Sequence, residues 1–330
     1  KKDNIKVVYT PLHGTGAVFM KELLEQNGYN VIPVEEQMVP DGNFSTLKSP
    51  NPEEASAFEY AIALGKKENA DILIATDPDA DRMGIAAKNK EGEYVLLTGN
   101  QTGAILLNYL ALNVPHDKNA CVYNTIVTSN IAKDICDKHN LTLVQTLTGF
   151  KFIGEQAKLI EGTEKSFFFG YEESYGSVIK PFVRDKDSFQ ATLLLAEVAS
   201  YYKEQGKTLV NVLDEIYEEY GYYLEGVQNI SLTGLEGQAK IKKIMSHFQN
   251  ASITSMGGKP IVTVEDNYDA LGIDKESVLR SEVYTRYVDD NHVLRTMAST
   301  MVPRGLQLIK DKINPNMLLA CVGLVYRRDQ

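Results

Sequence analysis

Three aspartates at alternate positions, Asp77, Asp79 and Asp81, followed at once by Arg82, are the residues of this sequence best equipped for chemistry. In a non-helical loop, carboxylates at that spacing repel one another unless a positive charge sits among them. A hard divalent cation supplies that charge, and Mg²⁺ favours a few carboxylates combined with phosphate oxygens. Arg82 adds a planar fork of donors suited to phosphate. Before the acids, Ile72-Leu73-Ile74-Ala75-Thr76 is a short apolar run without polar alternation. That pattern predicts a strand buried inside a parallel sheet. Ligands of open α/β sheets bind just past such strand ends. The plain alternative is a solvated acidic turn closed by Pro78, which has no need of three aligned carboxylates. An EF-hand is excluded, because the loop positions that need Gly and Glu hold Arg82 and Lys88. A Mg²⁺-dependent aspartyl phosphatase, with Asp77 as nucleophile and Asp79 as general acid, remains open.

A second chemical stretch is Phe167-Phe168-Phe169-Gly170-Tyr171-Glu172-Glu173-Ser174-Tyr175-Gly176. An aromatic strand here runs into paired carboxylates and a hydroxyl between two glycines. Glu172 and Ser174 at a strand end suit the hydroxyls of a sugar, and glycine lets the chain come close; a solvated loop tip is the bland reading. Arg184-Asp185-Lys186-Asp187 precedes a predicted helix over residues 188–205, where an Asp serves as cap. Thr148-Gly149-Phe150-Lys151 is by itself a plain strand-to-helix turn.

Taken together, these stretches resemble the α-D-phosphohexomutases, the phosphoglucomutase/phosphomannomutase family. Asp77-Pro78-Asp79-Ala80-Asp81-Arg82 looks like the family's metal-binding loop, and Thr10 to Gly16 resembles the opening of the second domain in the phosphoglucomutase branch. The Glu172 segment resembles the sugar-specificity loop of that branch. The resemblance covers residues 1 to about 265. It implies consecutive α/β domains with mixed sheets sandwiched by helices, and interconversion of glucose 1-phosphate and glucose 6-phosphate. The route it implies passes through a phosphoserine and a hexose 1,6-bisphosphate intermediate. It implies Mg²⁺ on Asp77, Asp79 and Asp81, and Arg82 as a catalytic phosphate clamp. Thr148, Gly149, Glu172, Ser174 and Lys186 would bind a hexose phosphate. Ser188 departs from the family's Gly at the end of the Lys186 motif. The Thr-Ala-Ser-His-Asn phosphoserine signature and the Arg-x-Ser-Gly-Thr-Glu-Pro phosphate loop are both absent from the sequence. The nearest stretch to that phosphate loop, Arg295 to Gly305, lacks the glycine and the acid in place.

Behind these residues stand predicted elements that would position them. Strands are predicted over residues 5–10 and 29–34, joined by a helix over 17–27 that carries Phe19, Leu23 and Leu24 on one face and stops at Gly28. Asn51, Pro52 and the acids after them predict a helix start, with the helix running to about residue 67. A hairpin follows over 83–88 and 94–98. Beyond it lie a helix over 101–112, strands over 120–127 and 141–147, and a helix over 131–138 that Ser129 caps. Farther on, a helix over 235–248 and a strand over 260–264 begin a third region whose periodicity fades after Gly272. The expected domains are 1–98 for metal, 99–220 for sugar, and 221–330 as a partial or altered final domain.

Gly14 and Gly16 also admit a dinucleotide-binding reading with Glu35 as its acid. Phe19 stands where that motif needs its third glycine. The glycines serve equally to let backbone approach a phosphate or a neighbouring segment, and His13 is either a turn residue or a ligand contact.

With 330 residues, the chain has room for two or three domains. It lacks any apolar run near the ~20 residues of a membrane span, and the start at Lys1 lacks a signal region and reads as the interior of a longer protein. A net charge of −10 argues against a nucleic-acid partner. Cys121, Cys136 and Cys321 have no metal-ligand spacing and read as reduced thiols of a cytoplasmic protein. None of the five His residues has a partner at zinc spacing. The expectation is a chain that folds and binds metal but needs an upstream phosphoserine domain to turn over.

Overall fold

Five strands form the first sheet: β1 (Lys6–Thr10), β2 (Asn30–Pro33), β3 (Ile72–Thr76), β4 (Met83–Lys88) and β5 (Tyr94–Leu97). Their order is β2-β1-β3-β4-β5. The first three run parallel, and β4 and β5 return antiparallel. Every residue of β3 is buried, as its unbroken apolar run requires. The helices of this layer are α1 (Met20–Gln26) and α2 (Glu59–Glu68).

A second sheet repeats the plan. Its elements are α3 (Gly99–Asn113), β6 (Ala120–Thr125), α4 (Ile131–Lys138), β7 (Thr142–Thr146), α5 (Phe150–Leu159), β8 (Ser166–Tyr171) and β9 (Ser177–Val178), followed by α6 (Ser188–Lys203) and α7 (Leu209–Tyr220). The strand order is β7-β6-β8-β9, with three parallel strands and an antiparallel edge. β3 and β8 therefore hold equivalent places: each is a parallel strand that hands its chain to an antiparallel neighbour. The acidic loop follows β3 and the Glu172 loop follows β8.

The computed structural model describes residues 2–225, 232 and 234–250, and the strand segments 255–256, 259–260, 286–289 and 292–294. The chain divides into two units, Lys1–Leu224 and Glu225–Gln330. Within the first unit the two sheets share a core. Val7, Tyr9, Ile72, Ile74 and Ile85 of the first sheet belong to one apolar cluster with Leu106, Leu107, Leu195, Val198 and Leu213 of the second domain's helices. α6 packs on β3 and β4, and α7 on β4. Thr98 opens α3 with a capping box: its hydroxyl accepts from Gln101 N and the Gln101 side chain accepts from Thr98 N.

Three expected details differ. The helix after β1 starts later, at Met20, behind a short 3₁₀ turn at Thr15–Ala17. Phe19 is 63% exposed and does not share the buried face of Leu24. Asn51 does not cap α2; its side chain accepts from Glu53 N at 3.1 Å in a local turn, and a 3₁₀ segment, Ala55–Phe58, leads into the helix. At α4 the cap position falls on Asn130, while Ser129 Oγ accepts from Ile131 N just ahead of it.

In the second unit, α8 (Gly234–Asn250) covers the helix expected over 235–248. Two short antiparallel pairs are also described, β10 (Ser255–Met256) with β11 (Lys259–Pro260), and β12 (Arg286–Asp289) with β13 (His292–Leu294). The strand expected over 260–264 beyond Pro260, the stretch from Arg295 to Gly305, and Cys321 lie outside the described residues. No described helix is long and apolar enough to cross a membrane.

Candidate functional site

The chain leaves β3 into a tight turn in which Ala80 N donates to Asp77 O at 3.0 Å and Ala80 adopts a left-handed φ of +58°. This turn brings Asp77, Asp79 and Asp81 together, each offering a carboxylate oxygen within 4.8 Å of the others. Asp77 is 1% exposed. Its Oδ1 accepts from the backbone of Asp81 and Arg82 at 3.1 and 2.9 Å, and its Oδ2 accepts from Arg82 Nε at 2.7 Å. Burial pushes the Asp77 carboxyl up to about 6, against the hydrogen bonds from Arg82. Asp79 is exposed at the turn. Asp81 Oδ1 is buried without a hydrogen-bond partner. A buried carboxylate oxygen without a hydrogen bond, beside two further carboxylates, is a donor set for a hard cation.

Two glycines set the turn in place. Gly14 lies so close to Pro78 that a Cβ there would run into the Pro78 backbone, and Thr15 N donates to Pro78 O at 2.8 Å. Gly16 is pressed against the side chains of Tyr9 and Thr76. The space a dinucleotide phosphate would need is thus filled by the protein's own acidic loop, which removes the basis of that reading. His13 is likewise a turn residue: its Nδ1 is 2.7 Å from Val39 O and its Nε2 is 2.8 Å from Thr46 Oγ1. Gly14→Ala is expected to destabilise the fold by about 1–3 kcal/mol through overpacking and to weaken divalent-cation binding by shifting Pro78. Thermal melts with and without Mg²⁺ check this; a variant that melts and responds to Mg²⁺ like the wild type would refute it.

The second loop meets the first. Arg82 and Gly176 form an isolated antiparallel bridge, and Met83 N donates to Tyr175 O at 3.1 Å. Glu172 is 6% exposed, and its backbone N donates to Gly176 O at 2.9 Å. Burial pushes its carboxyl up to about 7; Glu173 adds to the rise, while Lys186 and the hydrogen bond from Ser174 oppose it. Gly176 has no room for a side chain: a Cβ would lie 2.5 Å from Lys186 Cδ and 2.9 Å from Glu172 Oε1. Lys186 Nζ reaches across to Asp81 Oδ2 at 2.7 Å. The adjoining Asp187 caps α6 by accepting from Phe189 N at 2.9 Å, so capping and site chemistry fall on neighbouring residues. Thr148 and Gly149 follow β7 at the carboxyl end of the same sheet, with Gly149 at a left-handed φ of +120° where α5 begins.

Three contributors escaped the sequence reading. Glu53 accepts from Arg82 Nη1 at 3.0 Å, although its place after Asn51-Pro52 marked it only as a helix-start acid. Ser188, where the family motif has Gly, donates its hydroxyl to Ala80 O at 2.6 Å and ties α6 to the acidic turn. Glu173 Oε2 accepts from Thr125 Oγ1 at 2.8 Å, holding the end of β6 to the Glu172 loop. All three are long-range pairs, and no local spacing announces them.

Comparison with known proteins agrees with this geometry. Residues 1–92 match the family model described as phosphoglucomutase/phosphomannomutase, alpha/beta/alpha domain II, and residues 98–220 match domain III of the same family. Residues 226–330 match a model described as tRNA synthetases class II core domain (F). The chain is 37% identical over 302 residues to a phosphoglucomutase of Staphylococcus aureus (strain MSSA476), covering 91% of this chain and 52% of that protein. It is 38% identical over 266 residues to a phosphoglucomutase of Staphylococcus epidermidis, covering 80% of this chain and 48% of that protein. The chain spans about half the length of the curated relatives it matches. A phosphoglucomutase/phosphomannomutase family protein of Burkholderia thailandensis shares the fold, with a TM-score of 0.52 and 18% identity over 64% of this chain and 42% of that one.

Proposed function

We infer the chemistry of this chain from an established premise: it belongs to the phosphoglucomutase/phosphomannomutase family. We propose that residues 1–220 supply the metal-binding and sugar-binding halves of an intramolecular phosphotransferase. The substrate pair proposed is glucose 1-phosphate and glucose 6-phosphate, following the phosphoglucomutase relatives. The observation that carries the reading is the meeting of two equivalent loops, one bearing Asp77, Asp79, Asp81 and Arg82, the other bearing Glu172 and Ser174, with Lys186 between them.

In this reading Asp77, Asp79 and Asp81 hold Mg²⁺, a choice favoured by an all-carboxylate donor set and by the buried Asp81 Oδ1, which has no hydrogen bond. The ion would neutralise charge on a transferring phosphoryl group. Arg82 is held by Asp77 and Glu53, so its remaining donor nitrogen would meet a phosphate with little reorganisation. Glu172 and Ser174 orient the sugar hydroxyls, with Thr148, Gly149 and Lys186 completing the contacts. The phosphoryl donor is a phosphoserine from outside these two domains, and a hexose 1,6-bisphosphate links the half-reactions. The free, buried thiols of Cys121 and Cys136 fit a reducing cytoplasm.

An aspartyl phosphatase is the less favoured reading, because the family models matched over residues 1–92 and 98–220 and the curated relatives are phosphoglucomutases and phosphomannomutases.

Calorimetric titration of the chain with Mg²⁺, then with glucose 1-phosphate, tests the proposal. Expected are metal binding and a sugar-phosphate affinity that rises with the metal present. Release of inorganic phosphate from glucose 1-phosphate by the chain alone, abolished in Asp77→Asn, would instead favour the phosphatase.

A further inference from the structure

Two cations sit on the acidic loop, and they are held very differently. Arg82 spreads its guanidinium over Asp77 at 2.7 Å, Glu53 at 3.0 Å and Asp81 at 3.7 Å. Three partners and a rigid planar fork lock it in place. Lys186 has one close partner, Asp81 Oδ2 at 2.7 Å, and a second carboxylate, Asp185, at 3.8 Å. It is a point charge on a flexible stem, and that stem lies along Gly176 beside Glu172. The oxygen it covers belongs to the same carboxylate whose other oxygen, Oδ1, is buried without a hydrogen bond and has only the Arg82 guanidinium nearby, at 3.7 Å.

We propose that Lys186 is an exchangeable counterion of the acidic loop: its ammonium neutralises Asp81 until a divalent cation binds, and the cation then displaces it toward an anionic ligand on the Glu172 side. The inference rests on the proposed metal role of the three aspartates and adds a step that role does not require. A divalent cation arriving with Lys186 in place would crowd a second cation against the Asp81 carboxylate. Release of Lys186 relieves that repulsion. Arg82 stays, because leaving would strand the buried Asp77 without its guanidinium partner. The side chain is placed to make the move: it is 20% exposed, and its stem lies against Gly176, whose other close neighbour is Glu172 Oε1. Metal binding and anion binding are thereby coupled through one ammonium group, and linkage requires the coupling to be reciprocal.

The test is calorimetric Mg²⁺ affinity, with no turnover involved, for wild type, Lys186→Met and Lys186→Arg, each first shown to melt cooperatively. With the competing ammonium gone, Lys186→Met is expected to bind Mg²⁺ roughly two- to fivefold more tightly, the range of a solvent-accessible ion pair. Lys186→Arg, which keeps the charge, should show no such gain. In wild type, Mg²⁺ should strengthen the binding of inorganic phosphate, and Lys186→Met should lose that enhancement. Equal or weaker Mg²⁺ affinity in Lys186→Met, with wild type binding the ion, would overturn the exchange and leave the metal site standing. No Mg²⁺ binding in wild type or in Lys186→Met would overturn both the metal site and the exchange.

Discussion

Replacing Asp79 by Asn is expected to lower Mg²⁺ affinity by on the order of 100-fold while leaving the melting temperature without metal unchanged. The contrast follows from where the side chain stands. Asp79 is the exposed member of the acidic trio, whereas Asp77 is buried under Arg82 and Asp81 is paired with Lys186. A substitution at Asp77 or Asp81 therefore disturbs the fold as well as the site. At exposed Asp79 it removes one negative donor, and surface changes of that kind alter stability by only about 0.5 kcal/mol. Changes to groups that merely support metal ligands already cost about 10–100-fold, so loss of a ligand belongs at or above the upper end. Calorimetry gives the affinity directly. Thermal melts give a second view, because an ion that binds only the folded chain raises its stability by mass action. Wild type should gain stability in millimolar Mg²⁺ and Asp79→Asn should not. If both gain equally, Asp79 is no ligand of the ion.

Much of this site was legible in the sequence because it is local. Asp77, Asp79, Asp81 and Arg82 occupy one turn directly after a strand whose apolar run could be buried only within a sheet, so chemistry and placement are written side by side. The same holds for Glu172 and Ser174 after the aromatic strand β8. Element order was equally legible where apolar runs alternate with turn residues, as in the hairpin of β4 and β5. What escaped was everything decided by distant partners. Phe19 has the spacing of a buried helix residue, but the turn at Gly14 is drawn onto Pro78, the helix begins late, and Phe19 is left facing outward. Glu53 and Arg82 are 29 positions apart, and Ser188 and Ala80 are 108 apart. Such pairs have no periodicity to betray them. Ser188 is instructive in a further way: the departure from the family motif is a residue that ties α6 of the second domain to the acidic turn. Residues after 225 lack the final phosphate loop, and the family model matching there describes a different kind of domain.

The last expectation concerns Glu172, whose burial sets a pH dependence with a definite sign. Its carboxyl is raised from an ordinary 4.5 to about 7, chiefly because folding removes it from water, with the neighbouring Glu173 adding to the rise. A carboxyl raised in the folded state holds its proton more tightly there than in the unfolded chain. It therefore supports folding fully below about pH 4.5, and that support is lost as pH rises through about 7. Glu172→Gln stays neutral throughout and escapes the loss. The stability of the variant relative to wild type should climb between pH 4.5 and 7 by up to about 3 kcal/mol, and level off above. Urea unfolding at a series of pH values measures this difference; parallel curves for the two proteins would show that Glu172 ionises as freely as an exposed carboxylate. The stabilised variant should also be the poorer binder. Near neutral pH the native carboxyl is shared between a form that donates and accepts and an ionised form that only accepts. Glutamine offers a fixed donor and acceptor in its place and no charge for Lys186 to face. Weaker glucose 1-phosphate binding with unchanged Mg²⁺ affinity would assign Glu172 to the sugar and not to the metal. A burial that costs stability at working pH is then the physical signature of a residue kept for its ligand.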